Sequence, residues 1–205
     1  MEYKHKHEEI FKESTSDKFG KGFGKYQNVH ARSTGKKGIG FHNYGPAYSL
    51  ILGYLEGSKE YVDLLEIGVK AGGSMEAWKK LSIIKNIVGV DIDFQSTPGT
   101  TFYHKDAYTQ EMINVLKDKH NKFDFIIDDG PHTWSSQEYF LKHYYELLKP
   151  GGIMVCEDFR IDKHYEKLEK IKDKLGIYVL DVRCNSKGTG KRKHRPGSVL
   201  LLRFK

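Results

Sequence analysis

The chain has 205 residues, 38% of them apolar and 13% aromatic, which suits one domain with a sizeable core and excludes a disordered chain. Its formal charge of +7 is unevenly spread: Phe19 to Phe41 carries five Lys or Arg and no acid, Arg183 to Arg195 carries six and no acid, and the remainder stands at −4. No apolar run approaches the roughly 20 residues of a membrane span, and Cys156 and Cys184 are too few for a disulfide framework, so a soluble cytoplasmic protein with no membrane partner is expected.

Taken in order, Glu2 to Lys12 is polar with the makings of a short helix, and Ser14 to Phe41 is rich in Gly, Lys and Ser without hydrophobic periodicity. Tyr44 to Leu55 has apolar residues at helical spacing after Pro46, and is predicted to pack on the sheet. Residues 1–60 thus read as an N-terminal helical or lid segment. From Tyr61 strand and helix patterns alternate, the sequence form of an α/β doubly wound sheet. Seven strands are predicted: Asp63 to Ile67, Ile87 to Asp91, Thr101 to His104, Phe123 to Asp128, Gly152 to Glu157, Ile177 to Arg183 and Ser198 to Phe204. Helices are predicted over Ser74 to Leu81, Thr109 to His120, Ser136 to Leu148 and Lys163 to Leu175, with Ser135 and Glu138 as a capping box for the third. The last two strands, flanking the basic loop, suggest an antiparallel hairpin at the sheet edge. No linker divides the chain, so 1–205 is read as one domain with residues 61–205 as its core.

The chemistry gathers at the ends of strands. After the first strand, Glu66 is followed by Gly68, Gly72, Gly73 and Ser74, a turn in which glycines admit a ligand to the backbone. It is neither a dinucleotide fingerprint nor a phosphate-binding loop. Asp91 ends the second strand, where an acid can accept both hydroxyls of a ribose, and Asp106 follows the third. Such an adenosine-shaped but acidic site suits a sulfonium better than a phosphate. Asp128 and Asp129 end the fourth strand in Phe123 to His132 (FDFIIDDGPH), and Glu157 and Asp158 end the fifth. Neighbouring parallel strands would bring Asp129, Glu157 and Asp158 together, and crowded carboxylates favour Mg²⁺ or Mn²⁺; the bland reading is that single acids cap helices. Asp128 is read as facing the cofactor or capping the turn. Trp134 is close enough to contact a substrate, whereas Tyr139, Phe140, Tyr144 and Tyr145 read as a core-packing face.

Four pieces, LLEIGVKAGGS, VGVDID, FDFIIDDGPH and LLKPGGIMVCEDF, resemble the class I S-adenosylmethionine-dependent methyltransferases over about Tyr61 to Phe159. More narrowly, IIDDGPH with EDF is similar to the metal-dependent macrolide sugar O-methyltransferases and the related cephalosporin hydroxylase-type family. Those proteins carry Asp-Asp-Gly-Ser-His, so Pro131 is a departure that stiffens the turn. SDK at Ser16 to Lys18 and HNY at His42 to Tyr44 are similar to that family's upstream segment, here separated by a Gly/Lys-rich insert.

The resemblance implies a Rossmann-like, seven-stranded, mostly parallel sheet of order 3-2-1-4-5-7-6 with helices on both faces. It implies S-adenosylmethionine as cofactor, held by Glu66, Gly68, Gly72, Gly73, Ser74, Asp91, Asp106 and Asp128, and a sugar hydroxyl on a glycan or glycosylated natural product as acceptor. By the same resemblance His132 is the catalytic base, with Mg²⁺ (or Mn²⁺) on Asp129, Glu157 and Asp158; an imidazole that holds a proton near neutral pH suits that role, and the bland alternative is a supporting or capping histidine. His42, Tyr44 and Trp134 are the candidate acceptor contacts. Two rival readings stay open: an RNA methyltransferase using the basic loops, and a non-catalytic binding module that keeps the fold. Self-association is left open too.

Overall fold

The computed structural model describes residues 45–70, 72–93, 98–180 and 198–205. The expected helix Glu2 to Lys12, both basic stretches, the SDK motif, His42 and Tyr44 lie outside the described residues. The elements run α1 (Gly45–Ser58), β1 (Val62–Ile67), α2 (Gly73–Trp78), β2 (Ile84–Asp91), β3 (Thr101–His104), α3 (Gln110–Lys119), β4 (Phe123–Asp128), α4 (Trp134–His143), a 3₁₀ turn (Tyr144–Leu147), β5 (Leu148–Arg160), α5 (Ile161–Leu175), β6 (Tyr178–Leu180) and β7 (Ser198–Phe204).

The seven strands form one sheet of order β3-β2-β1-β4-β5-β7-β6, as expected. The first five pair in parallel, and β7 lies antiparallel between β5 and β6. The β6–β7 hairpin therefore ends the sheet with β6 outermost and β7 inside. Strand alternation sends side chains to two cores. On one face Leu64, Phe125, Ile127, Ile153 and Val155 meet α1 and α2; on the other Leu65, Ile67, Ile126, Met154 and Cys156 meet α3, α4 and α5. Helix α1 is fastened by Tyr48, Ile51, Leu52 and Leu55, all buried at i, i+3, i+4, i+7 spacing. Burial of such side chains stabilises by about 1.5–3 kcal/mol each before ordering costs.

Several boundaries differ from expectation. Helix α4 begins earlier and is capped by Thr133, whose hydroxyl accepts from the Ser136 amide at 3.2 Å; no Ser135–Glu138 capping box forms, because Glu138 pairs with Lys142 one turn on. The apolar run to Leu148 that reads as helix ends at His143 in α-form, tightens into 3₁₀, and β5 starts at Leu148. At the amino ends of the strands, the buried Asp124 is satisfied by Lys149 at 2.8 Å, Lys59 at 3.3 Å and the Asp63 amide at 3.0 Å, a structural network remote from the strands' carboxyl ends. Among the described residues, no helix is long and apolar enough to cross a membrane.

Candidate active site

A cleft of about 690 Å³ opens at the carboxyl ends of β1, β2, β3 and β4, where open α/β sheets bind ligands. Of the predicted cofactor residues, Gly68, Asp91 and Asp106 line it. Asp91 Oδ2 accepts from the Lys70 amide at 2.6 Å and Oδ1 from the Asp93 amide at 2.8 Å, which fixes the carboxylate while each oxygen keeps a lone pair. Asp106 is exposed in the cleft, with Oδ1 accepting from the Tyr108 amide at 2.8 Å. Gly68 has φ +83°, and a Cβ there would collide with the Asp129 carbonyl, so the turn after β1 is pressed against the turn after β4.

The other predicted cofactor residues sit differently. Glu66 is buried on the α1/α2 face and accepts from the Trp78 indole at 3.1 Å. Gly72, Gly73 and Ser74 start α2 and are not cleft-lining. Asp128 lies behind the wall: it is buried, Oδ1 accepts from the Tyr108 hydroxyl at 2.5 Å and from the Gly130 amide at 3.3 Å, and burial pushes its carboxyl up to about 7. Tyr108 is raised in turn, first by burial and then by Asp128.

Four cleft residues were not singled out by the sequence. Tyr108 and Tyr139 meet edge to face, 6.4 Å between centroids, and both line the cleft. Ile92 is 68% exposed there, an apolar side chain left in solvent, with its carbonyl held by His104 Nε2 at 2.6 Å. Lys70 has a left-handed backbone, φ 51°, in the β1 turn. A non-glycine residue at positive φ is the one sequence-invisible signal shared with the acidic cluster described next. Tyr139, expected in the core, packs against it and lines the cleft besides. Trp134, expected near the substrate, does not line the cleft; it packs on Phe159 and His164, with Lys167 Nζ 5.7 Å above its ring.

At the edge of the cleft the fourth and fifth strands deliver Asp129, His132 and Asp158 to one place, their ligand atoms all within 4.8 Å of one another. His132 Nε2 lies 3.6 Å from Asp129 Oδ1 and 3.6 Å from Asp158 Oδ2, too long for hydrogen bonds. Both His132 (φ 55°) and Asp158 (φ 51°) hold left-handed backbone conformations. Such strain persists where surrounding structure enforces it and concentrates at functional sites. For Asp158 the cause is visible: the β5–β7 register slips between Cys156 and Phe159. Pleat alternation sends the consecutive acids to opposite faces, and the bulge returns Phe159 to the face of Cys156. Glu157 goes to the α1 face, 6% exposed, where it accepts from the Tyr48 hydroxyl; Asp158 turns to His132. Gln137 steadies the bulge by donating to the Glu157 carbonyl at 2.9 Å.

Thus two of the three predicted metal acids, Asp129 and Asp158, share the cluster with His132, whereas Glu157 is outside it on the α1 face. The two carboxylates are hard oxygen donors of the kind Mg²⁺ or Mn²⁺ takes, and the imidazole stands 3.6 Å from each, beside whatever they bind.

The fold is the Rossmann-like one of class I S-adenosylmethionine-dependent methyltransferases. In sequence the chain is similar to an enzyme that methylates a sugar. It is 30% identical over 108 residues to the L-olivosyl-oleandolide 3-O-methyltransferase of Streptomyces antibioticus, covering 47% of this chain and 28% of that protein. It is also 28% identical over 130 residues to polyamine aminopropyltransferase 1 of Aquifex aeolicus, covering 55% of this chain and 46% of that protein. The chain therefore spans less than half the length of either relative. Among solved structures it superposes on the MycE methyltransferase of the mycinamycin biosynthetic pathway, in complex with Mg, SAH and mycinamycin VI, with a TM-score of 0.60 and 23% identity over 69% of this chain and 39% of that one. No family model matches the sequence.

Proposed function

We propose that the protein is an S-adenosylmethionine-dependent, divalent-cation-dependent O-methyltransferase acting on a sugar hydroxyl of a glycosylated acceptor, and that it is one domain over 1–205. The observation that carries this reading is Asp129, which both lines the adenosine-shaped cleft and belongs to the Asp129–His132–Asp158 cluster. Donor and acceptor chemistry would meet there. The sugar O-methyltransferase relative supports the acceptor class, and the relatives do not favour the RNA-methyltransferase or non-catalytic readings.

Asp91 accepts the ribose hydroxyls, Asp106 the exocyclic amine of adenine, and Ile92 and Tyr139 supply apolar walls. Gly68 lets the cofactor reach the backbone; Glu66 and Asp129 place negative potential where a sulfonium, not a phosphate, is favoured. Gly72, Gly73 and Ser74 shape the turn behind that wall, and Asp128 holds it through Tyr108. When bound, S-adenosylmethionine supplies the methyl group, and Mg²⁺ or Mn²⁺ on Asp129, Asp158 and Glu157 lowers the acceptor hydroxyl's pKa. His132 receives the hydroxyl proton at Nε2. His42 and Tyr44, outside the described residues, stay the candidate acceptor contacts, whereas Trp134 supports the wall from the Phe159 side. The protein works in the cytoplasm, on carbohydrate.

The test is mass spectrometry of glycosylated macrolides and free deoxysugars incubated with S-adenosylmethionine and Mg²⁺. Gain of one methyl group, abolished by excess EDTA, is the expected result; full activity in EDTA overturns the metal role. The likeness to the Aquifex protein favours a second reading, aminopropyl transfer, which would instead modify polyamines and leave sugars unchanged.

A further inference from the structure

Beneath the cluster, on the α1 face, lies a group the mechanism above does not use. Tyr48 is 2% exposed, so its hydroxyl has no access to bulk water and must find a partner inside. It donates to Glu157 Oε1. Its surroundings are acidic: burial raises its pKa most, then Glu157, with Asp129 and Glu66 adding in the same direction. The phenol thus sits among three carboxylates from β1, β4 and β5, as a neutral donor held in place. Its ring is fixed by edge-to-face contacts with Trp78, 5.5 Å, and Phe125, 6.1 Å. Trp78 in turn donates to Glu66, so the aromatic group assigns a separate donor to each of two buried acids.

We infer that Tyr48 is a positioning residue for the metal site: by holding one oxygen of Glu157, it sets the orientation in which that carboxylate completes the cation's ligand set beside Asp129 and Asp158. The inference rests on the metal reading proposed above. Its physical basis is general. A carboxylate ligand is oriented by a donor behind it, and loss of such a donor typically weakens metal binding about 10–100-fold. Strand alternation places Glu157 on the α1 face with Ile153 and Val155 but does not fix the direction of its terminal carboxylate; the donor from α1 does. One consequence is that α1, far upstream in sequence, is tied to Glu157 through the Tyr48 hydroxyl.

The experiment measures Mn²⁺ binding by electron paramagnetic resonance in the full chain, with calorimetric S-adenosylhomocysteine affinity as a second readout. Four proteins are compared: wild type, Tyr48→Phe, Glu157→Gln and the double variant. Phe125→Leu serves as a control that loosens the same rings without touching the hydroxyl. The expected result is Mn²⁺ affinity about 10–100-fold weaker in Tyr48→Phe, with S-adenosylhomocysteine affinity unchanged. In the Glu157→Gln background the second substitution should change Mn²⁺ affinity less than about twofold, because the two residues act as one unit. Wild-type Mn²⁺ affinity in Tyr48→Phe overturns the inference. So does an equal loss with and without the Glu157 carboxylate, or an equal loss in Phe125→Leu, either of which assigns the effect to packing. A wild-type protein that binds no Mn²⁺ overturns the metal reading itself, a result distinguishable from all of these.

Discussion

The Tyr108 hydroxyl donates to Asp128 Oδ1 at 2.5 Å, tying the cleft wall to the strand whose next residue, Asp129, faces the acid–imidazole cluster. Gly130 makes this contact sterically feasible, since a Cβ at that position would fall on the Tyr108 hydroxyl. One hydrogen bond therefore links the shape of the cleft to the position of the chemistry.

Removing the hydroxyl should loosen that link. Tyr108→Phe leaves Asp128 buried beside fewer donors, at a cost of about 1–3 kcal/mol. We expect weaker S-adenosylhomocysteine binding by calorimetry with Mn²⁺ affinity unchanged. Unaltered cofactor affinity would show that the wall stands without the bond.

Asp128 also makes a pH prediction. Its carboxyl is raised from 3.8 to about 7 by burial, so between those values the folded state keeps a proton that the unfolded state has lost. Its contribution to stability is complete below about pH 4, falls as pH rises towards 7, and is level above that. Asp128→Asn preserves an acceptor for Tyr108 without the ionisation. In metal-free buffer its melting temperature, relative to wild type, should rise between pH 5 and pH 8; a pH-independent difference would contradict the shift.

Gly68→Ala should damage fold and site together. The position has φ +83°, and the added Cβ meets the Asp129 carbonyl. Strain alone is of order 1–3 kcal/mol, and the backbone overlap adds to it. Urea denaturation should show the loss, with cofactor binding impaired in whatever fraction folds.

For the cluster, Asp158→Ala should lower turnover at least about 100-fold while sparing cofactor affinity. His132→Ala should lower kcat by about 10²–10⁴ with acceptor KM little changed. Steady-state kinetics on the sugar acceptor that gains a methyl group checks both, and unchanged turnover in His132→Ala would remove it from the proton transfer.

Much of the fold is legible along the chain. Phe123–Asp128 and Ser198–Phe204 match their expected bounds because buried strands read as apolar runs between turn residues, and Thr101–His104, a half-exposed edge strand, matches through its Thr, Phe and Tyr. Asp91, Asp106, Asp129 and His132 are legible as site candidates for a related reason: polar residues directly after buried strands must emerge at the sheet's carboxyl edge. The switch from α4 into 3₁₀ and β5 is hidden, since the apolar periodicity continues through Tyr144 and Leu148.

What the sequence by itself determined, then, is the sheet and the edge at which its acids stand. Only the tertiary structure decided their partnership. Glu157 and Asp158 are neighbours in the chain, yet the partners they meet on the two faces of the sheet are Tyr48 for one and His132 for the other. Tyr139 packs against the core as its spacing predicts and lines the cleft besides, whereas Trp134, expected at the substrate, packs on Phe159. The reason is physical: periodicity reports which face of an element is apolar, whereas a local slip in register and packing across elements more than a hundred residues apart, as between Tyr48 and Glu157, set the direction of each side chain.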